Sequence, residues 1–273
     1  MNDKEKIVEA LRRGTKSKAE IQAFSSPFSL SKIINYYALL VSGYYPERLE
    51  FKWADLKGIS LTGADLSNSD LSNSDLSDSV LRFSDLSWCN LEMAILDGAD
   101  LSNADLTAAK LSHTKLCKAI ICNAKMNGAK LLHADLSGAN LWNTDLFKAD
   151  LSFANLSDVM LEHSILVDAN LTGTILIGAH LKGRYFRYSK MQGADLSNSV
   201  LIRADLSYAN LKGAYLTYAD LTDANLTGAN LRNADLNKAN FTGANLLNAD
   251  LTDAVLTNTI LSGANLSGAK GIL

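Results

Sequence analysis

Two histidines twenty residues apart, His113 and His133, are the first candidates for chemistry. Imidazoles stacked on one face could hold a metal ion. No Cys or carboxylate is placed beside them to complete a ligand set, so an exposed pair without a metal is the alternative. The three cysteines, Cys89, Cys117 and Cys122, lack zinc-type spacing and read as reduced thiols. The chain has no phosphate-cradling glycine loop and no nucleophile elbow. Aspartates are abundant but recur at a fixed interval, so neighbouring carboxylates carry no acid–base signature. The expectation is a chain that is not an enzyme, with no catalytic residue, no cofactor and no metal.

Two segments stand out by charge. No acid occurs between Asp105 and Asp135, a stretch that holds Lys110, Lys115, Lys118, Lys125 and Lys130. It reads either as a solvated basic girdle or as a patch for an anion or an acidic partner. No acid occurs between Asp168 and Asp195 either, and this stretch contains Lys182-Gly-Arg-Tyr-Phe-Arg-Tyr-Ser-Lys190. Elsewhere the charge is balanced. Lys and Arg number 26 against 29 Asp and Glu, a net charge of −3. That balance announces neither a nucleic-acid binder nor an acidic tail.

These residues are positioned by a five-residue period. From Leu56 to Leu266 an apolar residue recurs every fifth position in 43 consecutive units, and 38 of these are Leu. The exceptions are Ile121, Met126, Phe186, Met191 and Phe241. Two positions earlier the residue is Ala in 28 units and Ser or Thr in 11. Residues two apart on an extended chain share a face, so the small residue and the Leu point inward, and the Asp or Asn between them points out. Fourteen of the 17 glycines lie two positions after the centre, with Asn and Asp in many other copies. That composition predicts a turn with one left-handed residue at a fixed place. Pro27 and Pro46 both precede the repeats, as stacked coils that use nearly every N–H require.

Units such as Ala64-Asp65-Leu66-Ser67-Asn68 and Ala229-Asn230-Leu231-Arg232-Asn233 resemble the pentapeptide-repeat motif, and the resemblance covers roughly residues 51–270. It implies a mainly β fold: a right-handed quadrilateral β-helix with four units per coil. At a strand-like spacing of ~4.8 Å per coil the rod would be ~50 Å long. The domains read as an α-helical cap over 1–48 and a β-helix over 49–273. Within the cap, helices are expected over 4–13, 15–24 and 32–41, the last capped by Ser31 and stopped by Gly43 and Pro46.

In this register Arg184 falls on an inward, small position. Burying an unpaired guanidinium is costly, so a bulge, a widened turn or a set of acceptors is expected there. Tyr185, Arg187 and Tyr188 face outward, and four units per coil place Phe147, Lys148 and Tyr208 on the same side. Tyr and Arg are favoured at interaction surfaces. These six residues form the candidate partner-binding patch, with a tolerated local irregularity as the alternative.

The functional expectation is a non-enzymatic scaffold that binds an unidentified protein partner through a solenoid face or the helical cap. The family resemblance offers an alternative, a DNA mimic that inhibits or protects a type II topoisomerase. Such relatives carry strongly acidic faces and loops between repeats, whereas here the phase has no insertion and two basic bands cut the acidic surface. The N-terminus shows no secretory signal, and the apolar stretch from Ile33 to Tyr45 is too short to span a bilayer. A cytoplasmic protein is expected, with no nucleic-acid or membrane partner. A homodimer through the C-terminal coil is possible, because Gly271-Ile272-Leu273 is short for a cap.

Overall fold

Each five-residue unit has five backbone N–H groups to satisfy, and the fold follows from where they go. The computed structural model describes residues 51–272; the expected cap over 1–48 lies outside the described residues. The unit around Leu66 shows the scheme. Leu66 N donates to Asp85 O at 2.7 Å and Asn68 N to Ser87 O at 2.9 Å, both in the next coil. Asp85 N returns a bond to Ala64 O at 2.9 Å. Ser69 N closes the turn on Leu66 O at 3.1 Å. The remaining donor, Ser67 N, is taken by the Asp65 carboxylate at 3.1 Å. The outward Asp or Asn is therefore more than a solvated residue. Its side chain accepts the one N–H that neither turn nor ladder uses.

Repetition of this scheme gives a right-handed quadrilateral β-helix. Every bridge is parallel and joins residues twenty apart, from Asp55–Asp75 to Asp250–Lys270, so four units make a coil. The outward residues form four columns. The first face runs from Asp55 to Val255, the second from Ser60 to Ile260, the third from Asp65 to Asn265 and the fourth from Asp70 to Lys270. Corners separate the faces. At each described corner the second turn residue has positive φ, from 55° at Asn143 to 70° at Gly63, as a type II turn demands.

The predicted register holds. The centres from Leu71 to Leu251 are essentially inaccessible, with the inward Ala, Ser and Thr beside them. Phe51 occupies the same slot one unit before the expected first centre. At the other end Leu256, Leu261 and Leu266 are only partly buried. Inward hydroxyls divide into three groups. Thr114, Thr144, Thr174 and Thr259 donate to a carbonyl of the coil below. Ser74, Ser84 and Ser164 donate to the carbonyl three residues back. The hydroxyls of Ser69, Ser79, Ser189 and Ser199 are buried without a partner.

Candidate interaction surface

The repeat rule fails most conspicuously between residues 158 and 185. Here the outward positions of the second and third faces hold Met160, Ile165, His180 and Tyr185, and Ile175 stands on the first face. None of these side chains accepts the spare N–H of its unit. The ladder also loosens. The parallel bridges Met160–His180 and Ile165–Tyr185 are kept, but Asp158, Leu161, His163 and Leu166 make no backbone bond of ordinary length to the coil above, and His180 and Tyr185 make none to the coil below. The first and fourth faces stay closed at the same height, with Leu156 N–Ile175 O at 2.9 Å and Leu171 N–Lys190 O at 2.6 Å. The opening is therefore one-sided, confined to the second and third faces and the corners that bound the second.

Two oversized inward residues flank it. Val159 and Arg184 occupy slots that elsewhere hold Ala, Ser or Thr, apart from Ile59 and Cys89. The Val159 turn bond is stretched to 3.4 Å. Overpacking of this kind is relieved by backbone displacement.

The expected bulge or widened turn at Arg184 is absent. Its turn is intact, with Arg184 N–Leu181 O at 3.1 Å and Gly183 at φ 67°, and the ladder above it is kept by Asp205 N–Arg184 O at 2.8 Å. The side chain is partly exposed and folds back, its Nε donating to Lys182 O at 3.0 Å. The strain expected in the turn is found instead in the ladder beneath.

The structure groups the six sequence-predicted residues into two sets. Arg187, Tyr188 and Tyr208 cluster on the corner after the third face. Tyr188 and Tyr208 stack at 5.4 Å, and the Arg187 guanidinium lies 5.4 Å from the Tyr188 ring centre and 3.9 Å from the Asp205 carboxylate. Tyr185 stands beside them on the third face, directly above Ile165. Tyr208 in turn lies over Gly228, where an added Cβ would come within 2.7 Å of the ring. Phe147 and Lys148 form their own pair at 4.9 Å on the same corner, two coils below. Val167 and Asp168 occupy the coil between, so all six share one edge of the rod without forming one continuous cluster.

Sequence reasoning did not single out Met160, Ile165, Ile175 and Ile177, which are exposed beside the opening. The signal was present, since the first three stand where the rule calls for Asp or Asn. Elsewhere His113 and His133 stack at 5.1 Å, and His133 stacks on Phe153 at 5.2 Å. The pair is an aromatic ladder; among the described residues no group of three or more metal-ligating side chains surrounds it.

The family model described as pentapeptide repeats (8 copies) matches in successive blocks from residues 50–82 to 234–270. The chain belongs to the pentapeptide-repeat family. Among solved structures it is similar to HetL, a pentapeptide-repeat protein involved in heterocyst differentiation regulation from the cyanobacterium Nostoc sp. strain PCC 7120. Identity is 35% over 89% of this chain and 96% of that one, with a TM-score of 0.40. It is also similar to Rfr23, a pentapeptide-repeat protein from the cyanobacterium Cyanothece 51142, at 29% identity over 48% of this chain and 93% of that one, TM-score 0.25. A third similarity is to trypsin-treated QnrB1, a plasmid-mediated fluoroquinolone resistance protein. Here identity is 16% over 78% of this chain and 89% of that one, TM-score 0.33. No curated protein matches the chain.

Proposed function

We propose that this protein is a non-enzymatic, cytoplasmic interaction scaffold, and that the edge bearing Tyr185, Arg187, Tyr188 and Tyr208 is its partner-binding surface. One observation carries the reading. In a rod of near-identical units, loss of acids, loss of outward Asx residues, opening of the ladder and exposure of Tyr and Arg fall at the same height. Pre-stacked rings lose little freedom on binding, which favours them as anchors. Among the described residues no helix is long and apolar enough to cross a membrane.

The test is a purification of bound proteins from the source organism with the wild type, with Arg187→Ala/Tyr188→Ala, and with a chain lacking residues 1–48. The expected result is a specific partner lost in the double variant with melting temperature nearly unchanged. Retention of that partner by the double variant overturns the assignment of the surface. Loss only on removal of 1–48 moves the recruiting role to that segment. The DNA-mimic alternative predicts inhibition or protection of gyrase in a supercoiling assay; the interrupted acidic columns favour no effect.

The same proposal extends to a homodimer through the last coil. Val255 and Ile260 are each 49% exposed there, above the partly buried Leu256 and Leu261. Stacking of a second copy would cover this edge. Sedimentation should show a concentration-dependent dimer that Val255→Lys/Ile260→Lys converts to monomer. A wild-type monomer at high concentration removes the idea.

A further inference from the structure

The lysine-rich stretch forms a belt around the rod. Lys110 and Lys130 are bridge partners on the fourth face. Lys115 stands on the first face, Lys118 on the corner that follows and Lys125 on the third face, all of them exposed. Lys125 is paired with Asp105 at 3.3 Å. Lys110, Lys115, Lys118 and Lys130 have no ion pair among the described residues, although acids abound in the coils on either side. Placing Lys110 and Lys130 in register stacks two like charges with no neutralising side chain between them.

The belt is narrow along the axis. The fourth-face column reads Asp70, Asn90, Lys110, Lys130, Asp150, and the first-face column reads Asp75, Ile95, Lys115, Asp135. The positive zone is therefore one to two coils high, or ~5–10 Å, bordered above by Asp150 and Asp135 and below by Asn90, Ile95 and the corner residue Glu92. A duplex nucleic acid laid on it would press phosphates against Glu92, Asp135 and Asp150. An extended peptide crossing the rod at right angles to its axis would avoid them.

The corner between the fourth and first faces adds an aromatic element. Its outer column runs Met93, His113, His133, Phe153, with the two histidines and the phenylalanine stacked. The stack ends over Gly173, where an added Cβ would lie 2.5 Å from Phe153. Ring faces are occupied by one another, so edges point outward, flanked by Lys110 and Lys130 on one side and Lys115 on the other. That order, cation, imidazole edge, cation, is complementary to an extended segment with acidic residues on both sides of one that packs on or hydrogen-bonds the ring edges.

We infer that this belt is a second docking site, specific for an extended acidic peptide segment. Its residues are separate from the Arg187–Tyr188 surface, so the two assignments stand or fall independently. The probe is a short fluorescein-labelled peptide with two Glu on each side of a Leu, followed by anisotropy at low and physiological salt. Saturable, salt-weakened binding is expected, reduced about tenfold or more by Lys110→Gln/Lys130→Gln and unchanged by the control Lys212→Gln/Lys270→Gln. Because all these side chains are exposed, melting temperatures should stay at the wild-type value; Lys110→Ala/Lys130→Ala provides a repeat if the Gln variant does not fold. The inference is overturned by absence of peptide binding, by equal losses in the belt and control variants, or by tighter binding of a single-stranded oligonucleotide of equal charge.

Discussion

At the scale of single residues, the corners impose a strict conformational demand. Among the described residues thirty that are not glycine take positive φ, including Trp53, Phe83, Trp88 and Lys148. Size and charge are thus free to vary there, but none of the thirty is Val, Ile or Thr. Branching at Cβ crowds the left-handed conformation, whereas Asn and Asp tolerate it. The neighbouring turn position, one residue earlier, accepts Thr107, Val167 and Ile177 without such a penalty. Asn198→Val should therefore lower the melting temperature by an amount corresponding to about 1–2 kcal/mol. Ala108→Asn should raise it modestly, since Ala108 holds φ 55° without a side chain suited to it. Thermal denaturation followed by circular dichroism checks both, and a neutral Asn198→Val would contradict the argument. The left-handed corner was legible because Gly, Asn and Asp concentrate there. The ring stacks His113–His133–Phe153 and Tyr188–Tyr208 were legible as columns, once twenty residues made a coil. Which way a side chain leans was not, because that depends on the gap left by Gly173 or Gly228 in the coil above.

At the scale of the unit, the Asp or Asn before each centre links charge to stability. Ser77 donates both its hydroxyl and its N–H to the Asp75 carboxylate, holding Asp75 below the ordinary carboxylate range. Burial pushes Asp135 upward, but the N–H and hydroxyl of Ser137, with Cys117 and Asn155, outweigh it and the net direction is again down. A group whose folded pKa is depressed contributes its stability in full above the unfolded value, near 3.8 for these carboxyls. That contribution disappears as pH falls through the lower folded value. The melting temperature should accordingly be level from neutral pH down to about 4–5 and fall below that. Asp75→Asn/Asp135→Asn keeps the accepting oxygen and removes the titration, so it should flatten the acid limb. Asp75→Ala/Asp135→Ala leaves an N–H unsatisfied in each turn and should destabilise at every pH. A wild-type acid limb left unchanged by the Asn pair would show that these turns do not govern acid stability. The alternation of small, polar and apolar residues made the strand direction and the inward face readable from sequence. The role of the Asx side chain was not readable, because it depends on which backbone donor the ladder leaves over.

At the scale of the whole rod, each coil touches only its neighbours, so cohesion is a sum of successive interfaces rather than the property of one core. Those interfaces are nearly uniform except between residues 158–166 and 177–185. There the second and third faces keep their parallel bridges without the short ladder bonds present elsewhere, while the first and fourth faces remain zipped. Two blocks of regular coils are thus joined at a junction that is weak on one side. The cause proposed for the junction, oversized side chains at Val159 and Arg184, makes it removable. In native-state hydrogen exchange the amides of His180, Tyr185, Leu161 and Leu166 should exchange faster than their equivalents in neighbouring coils. Val159→Ala/Arg184→Ala restores the small residue that the repeat calls for, so the ladder should close and those four amides should become protected. Closure should also raise the melting temperature, against the usual direction for truncation of a buried apolar side chain, because strain is relieved and backbone bonds are regained. If the double variant is instead destabilised and the four amides stay fast, the opening stems from the missing Asx acceptors at residues 160, 165, 180 and 185. The complementary variant Met160→Asn/Ile165→Asn would then be the one to close it. Fast exchange in neither protein would mean that the junction is as firm as the rest of the rod.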